Sequence, residues 1–345
     1  MTDAPHLSPS DAAERWLNKR SVSLSDQTLR GYGYRLKVFT DWAEAQGIDS
    51  MQDLTPWLVD EFDAKRKGDD LAPISLRNHQ QTVRDWLEWA SDVGIAPDGV
   101  AAAIEVPDVD RSDHVSDVTL DQDAAKALIG QFRDGSDRAS KHHVTLELLW
   151  FIGCRMGGLR ALDLGDVDRD AGVFEFRHRP ETGTPLKKAE QGERDVGVTE
   201  GTMAIVGEWI DHHRPDVRDD HGRSPLLVTP FGRVVTSTLR DWCYFATVPC
   251  RHQSCPHGEE CPSCEWYAST GARECPSSRS PHQVRSGSIT WQRNRGMDAE
   301  VVGRRVNASV RVINQHYDLP TKREEFEQRG RPHVSKLSFD TEDEA

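Results

Sequence analysis

"SPHQVRSGSITWQRNRGMDAEVVGRRV" (280–306), followed by "VRVINQHYDL" (310–319), is the stretch on which the reading of this chain turns. It is basic in a chain that is not. Residues 279–316 hold seven Arg (279, 285, 293, 295, 304, 305, 311) against Asp298 and Glu300, a net of +5. The 345 residues together carry 43 Lys and Arg against 57 Asp and Glu, a net of −14. Arg is the side chain suited to two-point contact with a phosphate or carboxylate. A helix is expected over about 281–294, with a second over 298–306. His282 and Arg285 stand three apart, on one face of that first helix. Of the five Tyr, Tyr317 alone follows them.

Upstream, Arg155 lies in "WFIGCRMGGLRALDLGDVD" (150–168), just after an apolar run. A guanidinium there needs an anion or a carboxylate, Asp163 or Asp166 being the near candidates. Strands at 173–178 and 193–198 flank the polar turn "TGTPLKKAEQG" (182–192), which carries Lys187 and Lys188. Helices are expected from Thr119, over 140–160 and over 200–213.

The first 105 residues read as four amphipathic helices. Ser8 or Ser10 caps the first. The second, about 25–46, spaces Leu29, Tyr32, Leu36, Phe39 and Ala43 by three or four; a third follows Thr55, and a fourth starts at Ser75. The predicted organisation is a helical domain over 1–105, a polar, Asp-rich linker over 106–117, a second domain over 118–320 and a charged tail over 321–345. The fold class is mainly α with a small β-sheet, α+β.

No apolar run approaches a membrane span; the longest, "LELLWFIGC" (146–154), is far too short. No charged start precedes an apolar core as in a secretory leader, so a soluble, cytoplasmic chain is expected. The 33 Arg outnumber 10 Lys and the 35 Asp outnumber 22 Glu, a composition resembling that of proteins from salt-loving microbes. The net charge argues against a generally basic nucleic-acid surface. The +5 segment restricts any phosphate contact to a local site.

On these residues the chain resembles the tyrosine recombinase (phage integrase) family, in particular haloarchaeal members. "TLRGYGYRLKVFTDWAEAQG" (28–47) and "LAPISLRNHQQTVRDWLEWA" (71–90) are similar to two helices of its SAM-like core-binding domain. "GCRMGGLRALDLGDVD" (153–168) is similar to the box with the first catalytic Arg, 280–306 to the second box and 310–319 to the nucleophile box. The resemblance covers most of the chain. It implies a C-shaped clamp of two domains on double-stranded DNA, and a homo-tetramer at work that is a monomer or dimer when free. It also implies strand cleavage and rejoining through a 3′-phosphotyrosyl intermediate, with no cofactor. The catalytic residues it implies are Arg155, Lys187 (with Lys188 as the alternative), His282, Arg285 and Tyr317. The DNA-contacting residues are Arg30, Arg35, Arg77, Arg84 and Arg304.

Two positions depart from the family's pattern. Asn307-Ala308 stands where a Gly-His pair, or a Trp, is usual, and Gly158 stands where an acidic residue usually follows the first Arg by three. Asn307 or His316 is then the candidate replacement donor. The rival readings are a DNA-binding regulator with a degenerate site, a type IB topoisomerase-like enzyme and, on different chemistry, a metal-dependent hydrolase built on the cysteines.

Six of the seven Cys fall between 243 and 275. Cys250, Cys255, Cys261, Cys264 and Cys275, with His252 and His257 interspersed, have spacings that suit four ligands of a structural zinc. The seventh, Cys154, reads as structural.

Overall fold

The computed structural model describes residues 6–109, 118–251, 253–268, 270–317 and 322–334. The chain divides into two compact units, 1–115 and 116–345. Most of the expected linker lies outside the described residues, as does the end of the tail.

The first unit is a bundle of α1 (Pro9–Arg20), α2 (Asp26–Ala45), α3 (Pro56–Lys67) and α4 (Pro73–Asp92). Ser8, Ser25 and Thr55 cap the first three through their side-chain oxygens, satisfying backbone N–H groups that have no helical partner. The apolar faces of these helices meet in one aromatic core. Phe39 stands edge-on to Phe62 at 4.7 Å and to Trp86 at 5.2 Å, geometries that place ring edges on ring faces.

The second unit is helical around a small sheet. Its helices are α5 (Gln122–Asp134), α6 (Lys141–Ile152), α7 (Met156–Ala161), α8 (Glu200–Glu208), α9 (Thr236–Ala246), α10 (Pro281–Asn294), α11 (Ala299–Val306) and α12 (Val310–His316). Strands β1 (Val167–Asp168), β2 (Val173–Phe176) and β3 (Arg194–Gly197) form an antiparallel sheet in that order, with Phe174 opposite Val196. Phe174 and Phe176 point into the core and Val173 and Glu175 away, the two-residue period of a one-sided sheet. A two-stranded ribbon, β4 (Val228–Thr229) and β5 (Gly232–Arg233), precedes α9.

The expected helix over 140–160 is two helices. α6 ends at Gly153, whose φ of +69° is left-handed. A Cβ there would lie 2.9 Å from Ser288 Oγ and 3.0 Å from Val306 Cγ1, so position and conformation both require glycine. This break brings the chain after α6 against α10 and α11. α10 packs on α6, with the Ser288 hydroxyl donating to the Trp150 carbonyl. Helix α9 occupies sequence that carried no helix expectation, and α8 runs into a π-turn at Trp209–His213. Among the described residues no helix is long and apolar enough to cross a membrane.

Candidate active site

The ends of α6, α10, α11 and α12 converge on Tyr317. Ser280 caps α10 reciprocally with Gln283, fixing the entry of the helix that carries His282 and Arg285. Tyr317 follows the last residue of α12, its N–H bonded to the Ile313 carbonyl at 3.0 Å and its own carbonyl accepting from Thr290 Oγ1 at 2.8 Å. Its ring is buried among Ile289, Val302, Val306, Ala308 and Ile313. The His282 ring is 5.3 Å from it, and the Arg285 guanidinium lies over its face at 4.9 Å.

Arg285 is 1% exposed. Nη1 donates to the carbonyls of Gly153 and Val306, both at 2.7 Å. Nε and Nη2 are buried and meet no partner in hydrogen-bonding geometry among the described residues. Burial pushes this guanidinium below its ordinary range, Tyr317 offsetting part of that and Arg155 adding to it. Arg155 caps α7, and its Nη1 donates to the Asn307 carbonyl at 2.6 Å. Asp163 and Asp166, the carboxylates nearest in sequence, are taken by other partners. Arg179 donates to Asp166 at 2.9 Å, Arg223 to Asp163 at 2.7 Å and Arg233 to Asp163 at 2.5 Å.

The segment joining β2 and β3 carries the lysines. Leu186 is buried, and its N–H donates to His178 Nδ1 at 2.9 Å, anchoring the chain just before Lys187. Lys187 and Lys188 are exposed, and Lys188 is left-handed at φ +75°. Lys188 lines an open groove of about 830 Å³ with Arg194, Arg304 and Asn307.

One cation at this site had no sequence signal beyond its type. Arg194, at the start of β3, donates from Nε to the Arg305 carbonyl at 2.7 Å and from Nη1 to Gly192 at 2.8 Å, and lies over the Phe176 ring at 4.0 Å. Burial lowers it to about 10, with the charges of Arg285 and Arg155 acting the same way. Cys154 is fully buried beside these cations, and burial raises its thiol.

Of the two expected replacement donors, Asn307 is engaged elsewhere. Asn307 Nδ2 donates to the Lys187 carbonyl at 2.8 Å, while Ala308 is a buried apolar contact. The His316 side chain lies outside the described residues.

In the first unit, Arg30 is exposed and Arg77 partly buried. Arg35 donates to Thr82 Oγ1 at 3.1 Å, and Arg84 pairs with Glu88 at 3.0 Å. The zinc expectation finds no support. Among the described residues no group of three or more His, Cys, Asp or Glu is placed to hold a metal. Cys275 is buried, Cys261 is exposed, and Cys250, Cys255 and Cys264 are intermediate. A tetrahedral ion requires thiolates converging at about 2.3 Å, and His252 lies outside the described residues.

Residues 14–94 match the model of the phage integrase N-terminal SAM-like domain. The tyrosine recombinase XerC of Chromohalobacter salexigens is 29% identical over 157 residues, 46% of this chain and 52% of the relative. The chain thus spans about half the length of this curated relative. A crystallised N-terminal domain of a phage integrase/site-specific recombinase from Haloarcula marismortui is 35% identical over its whole length, 30% of this chain, with a TM-score of 0.29. The Tn1549 transposon integrase, in complex with transposon right end DNA, superimposes with a TM-score of 0.65 at 15% identity, covering 96% of this chain and 99% of that one. That likeness is one of fold, mainly α with small sheets. The match at residues 14–94 and the similarity to the XerC relatives place the chain in the tyrosine recombinase, or phage integrase, family.

Proposed function

We propose that this chain cleaves and rejoins DNA at specific sites, with Tyr317 as the nucleophile. The observation that carries the reading is Arg285. A guanidinium 1% exposed, with Nε and Nη2 lacking a partner in good hydrogen-bonding geometry and only the Tyr317 side chain against it, is costly unless an anion completes it. A DNA phosphodiester is such an anion, and Arg155 is the second cation beside it.

In this mechanism Tyr317 Oη attacks phosphorus and its proton passes to His282. The P–O5′ bond breaks, leaving a 3′-phosphotyrosine, and the departing O5′ takes a proton from Lys187 or Lys188. Arg155 and Arg285 stabilise the charge on the non-bridging oxygens. Rejoining runs the same steps backwards with a 5′-hydroxyl from the second duplex. Arg30, Arg35, Arg77 and Arg84 in the first unit, and Arg304 beside the groove, contact the DNA backbone, and the working assembly on DNA is a tetramer. The structure of the Tn1549 integrase with transposon end DNA supports the choice of partner.

Ala308 favours one other reading, a DNA-binding regulator on the same fold, because an apolar side chain stands where a hydrogen-bond donor is usual. One experiment separates them. The protein is incubated in high salt with a pool of nicked duplexes randomised around the nick, and covalent adducts are separated on a denaturing gel and sequenced. The enzyme reading expects a wild-type adduct on a shared sequence and none from Tyr317→Phe. No wild-type adduct would leave the regulator, and an adduct that persists in Tyr317→Phe would reassign the nucleophile.

A further inference from the structure

Asn307 joins two parts of the site that no other side chain in the described structure connects in this way. It sits between α11 and α12 with φ +55° and ψ +54°, the left-handed conformation that Asn tolerates better than other side chains. This points its carbonyl at Arg155 Nη1, 2.6 Å away, and its side-chain amide at the Lys187 carbonyl, 2.8 Å away. Gly192 lets the two approach. A Cβ there would stand 2.6 Å from the Lys187 carbonyl oxygen and 2.8 Å from Asn307 Nδ2. The other end of the same segment is held independently, by Arg194 on the Arg305 and Gly192 carbonyls. The lysine end, whose side chains are exposed, is anchored just before Lys187 by the Leu186 N–H on His178, and at Lys187 itself by the Asn307 amide.

We propose that Asn307 is a positioning residue, holding the Lys187–Lys188 turn in register with Arg155 so that a lysine ammonium meets the departing O5′. The inference rests on the recombinase reading above. It also gives a physical reason for Asn where the family usually carries Gly. The left-handed backbone is kept, and an amide is added that Gly lacks.

Two variants isolate that amide. Asn307→Gly keeps the left-handed backbone and the carbonyl that Arg155 uses. Asn307→Asp keeps the shape but removes the donor, because a carboxylate only accepts. Each is compared with wild type on the duplex recovered from the wild-type adduct, made once with the ordinary bridging oxygen and once with a 5′-bridging sulfur. Sulfur departs as a thiolate and needs no proton. Misplacing a general acid by about 1 Å costs on the order of 10²-fold.

The expected result is a drop in the cleavage rate of about that size on the oxygen duplex. The sulfur duplex should then be cleaved within roughly threefold of wild type, as by whichever of Lys187→Ala and Lys188→Ala removes the acid. Equal losses on both duplexes, or no loss on either, would overturn the proposal, since a general structural role does not depend on the leaving group. Failure of wild type on both duplexes would overturn the recombinase reading itself, and this inference with it.

Discussion

His142 stacks on Phe245 with ring centroids 4.1 Å apart and meets Trp242 edge-on. Burial lowers it to about 3, and the positive charges of Lys141 and Arg251 act the same way. Between pH 6.5 and 3 the folded chain therefore holds this ring neutral while the unfolded chain binds a proton. Its contribution is fully present above the unfolded pKa of about 6.5 and is lost as the pH falls below it. Wild type should lose roughly 2 kcal/mol through this group between pH 7 and pH 5. Denaturant unfolding of His142→Phe at the two pH values should show a correspondingly smaller difference; an unchanged difference would place the titration elsewhere. Residues of this kind show how far sequence reaches at the site. Tyr317, His282, Arg285 and Arg155 are marked by residue type and order along the chain, and the fold gathers them. Arg194 is not marked, and Asn307 is marked only as a replacement donor, not as the partner of the Lys187 carbonyl. Their roles come from a left-handed backbone and from carbonyls supplied by residues far off in sequence, such as Lys187 for the one and Arg305 for the other. The same limit explains Asp163 and Asp166. Proximity in sequence nominated them for Arg155, but the fold brings Arg179, Arg223 and Arg233 to them first.

At the scale of elements, α10 decides where His282 and Arg285 sit, and Gly287 decides how close α10 comes to the rest. A Cβ on Gly287 would lie 1.8 Å from the Leu120 carbonyl oxygen and 3.2 Å from Trp150 Cζ3. No rotamer relieves a clash with backbone. Gly287→Ala should therefore lower unfolding stability by about 3 kcal/mol, at the upper end for overpacking. Gly130, inside α5, has nothing within 4 Å of its Cβ position. Gly130→Ala should stabilise by about 0.5–1 kcal/mol through helix propensity alone. Denaturant midpoints of the two variants test this directly; a neutral Gly287→Ala would mean that α10 can slide on α6. Periodicity made α10 and α11 legible, because apolar spacing is a local signal. Where the outcome is tertiary, local signals fail. The apolar run through Ile152 reads as one helix, yet packing against Ser288 and Val306 requires a left-handed glycine at 153 that ends it. Helix α9 went unread beside a Cys-rich segment whose composition suggested a metal. Burial, and then the nearby Cys261, Cys255 and Cys275, raise the Cys250 thiol to about 12, but among the described residues no group of three or more ligands is placed to hold a metal.

Over the whole molecule the charge of −14 and the proposed phosphate site are reconciled by what the Arg side chains touch. The basic segment over 279–316 is less free than its sequence count implies. Arg279, Arg285, Arg293 and Arg305 donate to protein carbonyls, while Arg295, Arg304 and Arg311 stand exposed. The surface thus remains dominated by carboxylates, whose mutual repulsion opposes the folded state. Two salt effects then compete. Screening weakens exposed ion pairs such as Lys37–Asp41 and Arg169–Asp211, whose attraction is already small in water. It also weakens the repulsion among the unpaired excess of 14 negative charges, which acts over longer distances. The Debye length falls from about 10 Å at 0.1 M to about 3 Å at 1 M, so the longer-range term is removed first. The thermal midpoint should rise with KCl between 0.05 and 0.5 M by about 1–2 °C, on the order of 1 kcal/mol for a chain of this size, and then level off. A midpoint that falls steadily with KCl would show that ion pairs, rather than the acidic excess, govern the electrostatics of folding.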